Sequence, residues 1–241
     1  MFFSKPITPL PKVKATTAPE LAAKFKPSPP AQALLKPNQT PAEYLHVLEQ
    51  NKHGPEAVHL LAHGMPERES TWWACQSSQK VASKLNPADH SALSAAQAWV
   101  KNPTPETKAA AATAAAKTDY TGPGAWAAQA AAWSHTPAPV TSAAVTPAPP
   151  AAPAGLTAPA VAGSVLLAAG LVNRPAMPAT PKLHMPAMPA VPTTSAPPQL
   201  AAPTPPAPPQ LPPVDRAKQS KMLQPFIDLG KEVAGGKNSW A

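Results

Sequence analysis

The pattern of apolar residues and prolines divides the chain into segments that can bury a core and segments that cannot. Through most of residues 40–174, apolar positions recur at helical spacing and single prolines follow plausible caps, as Pro41 follows Thr40. Proline opens a helix at this position, because its missing N–H would have no intrahelical partner there. In residues 1–39 and 175–213, prolines crowd together with alanine without an apolar period. Such segments cannot bury a core, and we predict that they are disordered arms.

The periodic part predicts an all-α protein, a compact bundle of about six to eight short helices. Thr40 and Glu43 predict a capping box, and Gly64 suits the left-handed position that often ends a helix. Pro225 should kink or restart the last helix, whose apolar face needs the bundle as a partner. Residues 136–157 are expected to form a Pro/Ala-rich loop. The expected helices span about 41–50, 55–62, 66–85, 87–101, 105–117, 123–134 and 159–172, with a last one in the segment 214–241 that begins after Asp215.

The formal charge of +8 suggests nucleic-acid binding until it is divided by region. Residues 1–38 hold six Lys and Arg against one acidic residue, whereas residues 39–136 hold seven against eight. The basic excess therefore lies largely in the N-terminal arm, where lysines are spaced by prolines and no arginine occurs. This predicts weak, salt-sensitive attraction to polyanions and no sequence-specific nucleic-acid recognition. With no secretory signal, one cysteine and no apolar stretch long enough to span a membrane, we expect a soluble, cytoplasmic protein.

No catalytic, cofactor-binding or metal-binding motif stands out, and we expect no cofactor. His59 and His63 lie four residues apart on one helical face, and zinc would accept imidazole and thiolate ligands. A zinc site is disfavoured, because there is no second cysteine and no His-Glu-x-x-His pattern. Cys75 beside Trp72 is more typical of a small buried residue than of a nucleophile. The remaining candidate ligands are His46 and His53.

Three further side chains are candidates for function. Glu67 and Glu69 could act as paired carboxylates, but residues two apart diverge on a helix, and their place in a first helical turn explains both. Trp72 and Trp73 point about 100° apart on a helix, so they cannot both face one partner surface. Tryptophans are more often core residues than ligand platforms, so only one of the two is left as a candidate partner-binding residue.

Five groups of short motifs occur along the chain, namely Pro66–Glu69 leading into Trp72–Ala74, Ala98–Val100, Gly124–Ala128 leading to Trp133 and Ser134, Ala160–Gly163, and Phe226–Gly230 leading to Trp240. Together they resemble an uncharacterised bacterial all-helical family, a domain of unknown function. The resemblance covers about residues 40–174 and 215–240. It implies an all-α fold without an assigned enzymatic activity, without known site residues, and with genes that occur in clusters of contractile (type VI) secretion systems. The long Pro/Ala arms depart from the family pattern.

Two classes of function follow from the sequence. The favoured one is a non-enzymatic adaptor or accessory protein, in which the bundle binds another protein and the arms tether it or add a peptide contact. The alternative is an enzyme or effector whose site is assembled from scattered His and Glu residues. Stoichiometric zinc that is lost when His59 and His63 become alanine would favour the alternative. The sequence leaves the identity of the partner and the oligomeric state open.

Overall fold

Ten α-helices and a short 3₁₀ helix form the described part of the chain in a computed structural model, which covers residues 7–135, 155–172 and 215–237. No β-strand occurs within these residues, and the all-α prediction is confirmed. The helices are α1 (Ala18–Phe25), α2 (Pro29–Gln32), α3 (Pro41–Gln50), α4 (Gly54–Gly64), α5 (Glu67–Lys80), the 3₁₀ helix (Ala82–Lys84), α6 (Pro87–Lys101), α7 (Pro105–Ala116), α8 (Pro123–Trp133), α9 (Thr157–Leu171) and α10 (Arg216–Ala234). The predicted Pro/Ala loop and long insert fall mostly outside the described residues.

The starts of the helices follow from local cap chemistry. The Thr40 side chain accepts a hydrogen bond from the Glu43 N–H at 3.3 Å, and the Glu43 carboxylate accepts from the Thr40 N–H at 2.8 Å. The predicted capping box is therefore confirmed. Likewise, the Asn86 side chain caps α6 by accepting from the Asp89 N–H at 2.8 Å. Each bond satisfies a first-turn N–H that has no partner within the helix.

Two expected interruptions differ from the structure. Gly64 ends α4 without adopting a left-handed conformation, and the chain leaves in an extended geometry at Met65. The glycine instead allows a close approach, because a Cβ there would lie 3.0 Å from a methyl carbon of Val13. Pro225 lies inside α10, which continues without a restart. Packing of the apolar face on both sides of this proline offsets the hydrogen bond that it cannot donate.

The core is built around α5, which packs against α6, α8, α9 and α10. The Ala-rich α8 lies between α6 and α9, and α7 covers α6 and α8. Small side chains let these helices approach closely, and Trp73 and Trp99, both fully buried, fill the remaining space. Buried hydroxyls add polar contacts within this packing. Ser78 lies 3.2 Å from Ser164, whose hydroxyl donates to the Pro123 carbonyl at 2.8 Å.

Residues 7–39 differ from the predicted disordered arm, because they are ordered against the bundle. Their helices α1 and α2 begin with prolines at the first positions, the same helix-opening role predicted for prolines in the middle of the chain. Leu21 and Ala31 are buried, and the Tyr44 hydroxyl donates to the Ala31 carbonyl at 2.9 Å. The Lys12 N–H also donates to the Ala234 carbonyl at 3.0 Å. These few tertiary contacts order a segment whose composition alone resembles a flexible arm.

The C-terminal helix returns to the bundle as predicted and packs on α4 and α5. The Trp73 indole N–H donates to the Phe226 carbonyl at 2.8 Å. Nearby, the largely buried Lys231 ammonium lies 2.8 Å from Glu49 and 2.9 Å from Asp228. Although burial disfavours the charged ammonium, the hydrogen bonds that the ammonium donates to these two carboxylates outweigh this effect and raise the pKa of Lys231. A buried hydrogen bond and an ion-pair cluster therefore hold α10 in place.

Candidate protein-binding groove

The two predicted partner-binding tryptophans are both buried in the structure. Trp73 has no exposed surface and Trp72 retains only 7%. The two rings do diverge along α5, but other helices enclose α5, so both directions lead into the protein. The expectation that Trp72 or Trp73 is exposed for a partner is therefore wrong.

The histidines predicted to share one face of α4 do lie together, but they pack as an aromatic cluster. The rings of His59 and His63 are 6.3 Å apart, and Phe25 of α1 stacks on each at 5.7 Å. Burial lowers the pKa of both histidines, and that of His63 falls to about 4. His46 lies 2.8 Å from Gln50, and His53 lies 3.8 Å from Glu56. Within the described part of the chain, no three His, Cys, Asp or Glu side chains are grouped so that they could hold a metal ion.

The remaining candidate side chains have separate surroundings. Cys75 is fully buried, and burial raises the pKa of its thiol. Glu67 accepts a hydrogen bond from the His135 N–H and another from the Thr157 hydroxyl at 3.3 Å, which ties α5 to the ends of α8 and α9. Glu69 instead lies 3.4 Å from the Lys12 ammonium. The two carboxylates therefore serve different contacts and do not form a pair.

A surface groove of about 650 Å³ lies where the end of α5, the end of α9 and the first turns of α10 meet. Its lining combines a rim of lysines with an apolar floor. Val172, which follows α9, is 42% exposed, a large fraction for an aliphatic side chain. The lining residues are Lys80, Val81, Val172, Lys218, Lys221, Met222, Pro225 and Phe226.

Cap interactions on two helices fix the edges of the groove. The Lys84 ammonium donates to the Leu171 carbonyl at 2.8 Å and to the Val172 carbonyl, which caps the C-terminus of α9. A cation at this end of a helix also interacts favourably with the helix dipole. On the opposite side, the Asp215 carboxylate accepts from the N–H of Lys218 at 3.1 Å and so caps α10. The described residues that border residues 173–214, Val172 and Asp215, are therefore each held by a cap interaction, at the end of α9 and at the start of α10.

The rim of the groove is strongly basic. Lys80, Lys218 and Lys221 form no ion pair with any described residue. None of the residues that line the groove is acidic. Pro225 also has no N–H to donate to the Lys221 carbonyl one turn earlier, so a backbone acceptor beside the groove lacks its usual helical partner.

A second groove, of about 560 Å³, lies between α3 and the segment before it, but its charge is mixed. Lys36 and Glu43 both line it, and the Glu43 carboxylate is already engaged in the capping box of α3. Its remaining lining residues are Ile7, Pro37, Asn38, Gln39, His46 and Val47. The lysine-rimmed groove therefore carries charge of one sign, whereas the second groove does not.

Sequence patterns alone do not reveal the lysine-rimmed groove, because its residues come from three separate parts of the chain. The one useful signal is the predicted return of α10, which brings Lys218 and Lys221 towards Lys80. Which face of α10 stays exposed to solvent depends on tertiary contacts, and no local sequence pattern predicts them.

These observations define an all-α domain with a basic, apolar-floored groove at one end of its helices. The chain belongs to a family of unknown function, DUF6931, whose family model matches residues 44–184. This membership confirms the expectation of an uncharacterised domain family. Helices α1, α2 and α10 lie outside the match. No curated protein and no solved structure matches the chain. In the described ranges, no helix has both the length and the apolar character needed to cross a membrane.

Proposed function

We propose that this chain is a non-enzymatic adaptor or accessory protein that binds another protein through the lysine-rimmed groove. The observation that supports this proposal is the composition of the groove, which has an apolar floor around Val172 and Met222 within a rim of three lysines. Protein interfaces commonly combine an apolar centre with a polar rim. Lysine ammonium groups at such a rim favour encounter with an oppositely charged surface and help to select the partner.

The low-complexity segments support this proposal through their composition. Residues 175–213, which contain many prolines, lie in the sequence between Val172 and Lys218, two residues that line the groove. An extended proline-rich chain loses less conformational entropy on docking than a flexible one. We propose that this insert tethers the partner or adds a peptide contact to it. From the family resemblance, we further propose that the partner is encoded near this chain in a secretion gene cluster.

Affinity purification from the native host tests the adaptor proposal. The tagged full-length chain is compared with the groove variant Lys218→Glu/Lys221→Glu, in which two exposed rim charges are reversed. The matched control is Lys108→Glu/Lys117→Glu, which makes the same change of charge within α7 and directly after it, at residues that do not line the groove. A version lacking residues 175–213 tests the insert.

We expect a reproducible partner, identified by mass spectrometry, that the control variant retains and the groove variant loses. Removal of the insert should weaken recovery or alter which proteins are recovered. The proposal fails if the full-length chain recovers nothing above background, or if the groove variant recovers the same proteins as the control.

A further inference from the structure

We infer that the groove binds an acidic segment of the partner protein that also carries apolar anchor residues. This inference rests on the proposed function and adds the chemistry of the partner. Three features support this inference, namely the charge of the groove, its apolar floor and the backbone of α10 beside it.

The charge of the groove favours an acidic occupant from outside this chain. All twelve acidic residues lie within the described residues, and none of them lines the groove. The undescribed segments contain only basic charged side chains, namely Lys5, Arg174 and Lys182. The long insert therefore has no acidic side chain that could neutralise Lys80, Lys218 and Lys221. A carboxylate-rich segment of another protein supplies the complementary charge.

The floor of the groove favours a partner segment that carries apolar side chains as well as acidic ones. Val172 is 42% exposed, Pro225 is exposed and Met222 is partly exposed, so apolar surface lies between the lysines. Burying this surface against leucine-like side chains is favourable in proportion to the area removed from water. The adaptable methionine side chain also suits contact with a partner of irregular shape.

The backbone of α10 favours a peptide over a nucleic acid. Pro225 leaves the Lys221 carbonyl without its usual helical N–H donor, and a backbone N–H of a bound segment can donate to it. Grooves that bind single-stranded nucleic acid, in contrast, combine basic residues with exposed aromatic rings on which bases stack. No arginine lines this groove, and its one aromatic residue, Phe226, is only 2% exposed.

Calorimetric titration with defined peptides tests this inference on the full-length chain. The first probe is a synthetic peptide of repeated Glu-Glu-Leu-Leu blocks. In one matched peptide glutamine replaces every glutamate, and in another serine replaces every leucine. Each peptide is titrated into the unmodified chain, the groove variant Lys218→Glu/Lys221→Glu and the control variant Lys108→Glu/Lys117→Glu. Circular dichroism checks that all three proteins are folded.

We expect the Glu/Leu peptide to bind the unmodified chain and the control variant at least about tenfold more tightly than either matched peptide binds. Charge reversal at the groove should weaken this binding about tenfold, because two weak attractions become repulsions. Equal binding of the glutamine peptide, or an unchanged affinity in the groove variant, would overturn the inference. So would tighter binding of single-stranded DNA than of the Glu/Leu peptide. Self-association of the chain that the groove variant abolishes would assign the groove to a second copy instead.

The peptide titration and the affinity purification can fail separately. If a partner is recovered through the groove but its docking segment maps to a neutral or basic region, the inference fails while the adaptor proposal stands. If the acidic peptide binds as expected but no partner is recovered from the host, the adaptor proposal fails while the chemistry of the groove stands.

Discussion

Replacing Gly230 with alanine tests how α10, which carries two of the groove lysines, is docked onto the bundle. A Cβ at this position would lie 2.7 Å from the Cε2 atom of Trp73 and 3.1 Å from a methyl carbon of Leu61. The indole cannot turn away easily, because it is fully buried and its N–H donates to the Phe226 carbonyl. The added methyl group must therefore push the helix and the ring apart.

Two opposing effects determine how much Gly230→Ala changes the free energy of unfolding. Alanine is about 1 kcal/mol more favourable than glycine in the interior of a helix. Overpacking a well-packed core costs about 1–3 kcal/mol, and contact with a rigid ring that cannot move aside favours the upper half of that range. The Gly230→Ala variant should therefore lower the free energy of unfolding by about 1–2 kcal/mol.

Gly170 on α9 provides the matched control, because a Cβ there would meet nothing within 4 Å. Gly170→Ala should raise the free energy of unfolding by about 0.3–1 kcal/mol, less than the full propensity gain because the site lies near the end of α9. Urea unfolding followed by circular dichroism measures both variants at one pH. If Gly230→Ala is as stable as Gly170→Ala, the close approach of α10 to Trp73 does not exist as described.

Three further predictions concern buried groups. Because burial lowers the pKa of His59 and His63 in the folded state, unfolding takes up protons below the ordinary pKa of 6.5. The stabilisation should therefore be fully present above about pH 6.5, and the free energy of unfolding should fall towards pH 4 by about 1–2 kcal/mol after allowance for partial exposure. In urea unfolding, the variant His59→Gln/His63→Gln should show a weaker dependence on pH. Asp89→Asn should lower the free energy of unfolding by about 1–2 kcal/mol, because the buried carboxylate accepts two hydrogen bonds, at 2.6 and 3.2 Å, from backbone N–H groups at the start of α8. An equal loss in the control Asp119→Asn, at an exposed position, would contradict this prediction. The buried Cys75 thiol should resist Ellman's reagent in the folded protein and react only in urea, so rapid stoichiometric labelling without denaturant would show that it is accessible.

The starts of helices could be predicted because their signals are local. The cap at Thr40 and the proline that follows it lie within one turn of the residues that they organise, and Asn86 acts in the same way on α6. The N-terminal segment could not be predicted on this basis. Leu21 and Ala31 are ordinary in an alanine- and proline-rich sequence, and only their burial against distant helices distinguishes them from residues of a flexible arm.

The tryptophan pair shows why a local pattern predicts direction but not exposure. The angle between neighbouring helical side chains correctly separates Trp72 from Trp73, yet exposure depends on what surrounds the helix. Because α5 is packed by other helices on several sides, both directions are buried.

A surface site is easier to form where helices end, because packing is incomplete there and long side chains can line the remaining space. The lysine-rimmed groove has this position at the ends of α5 and α9, and the docking of α10 through Trp73 holds the third side in place. Weakening that docking should therefore impair partner binding even though Trp73 and Gly230 themselves are not among the residues that line the groove.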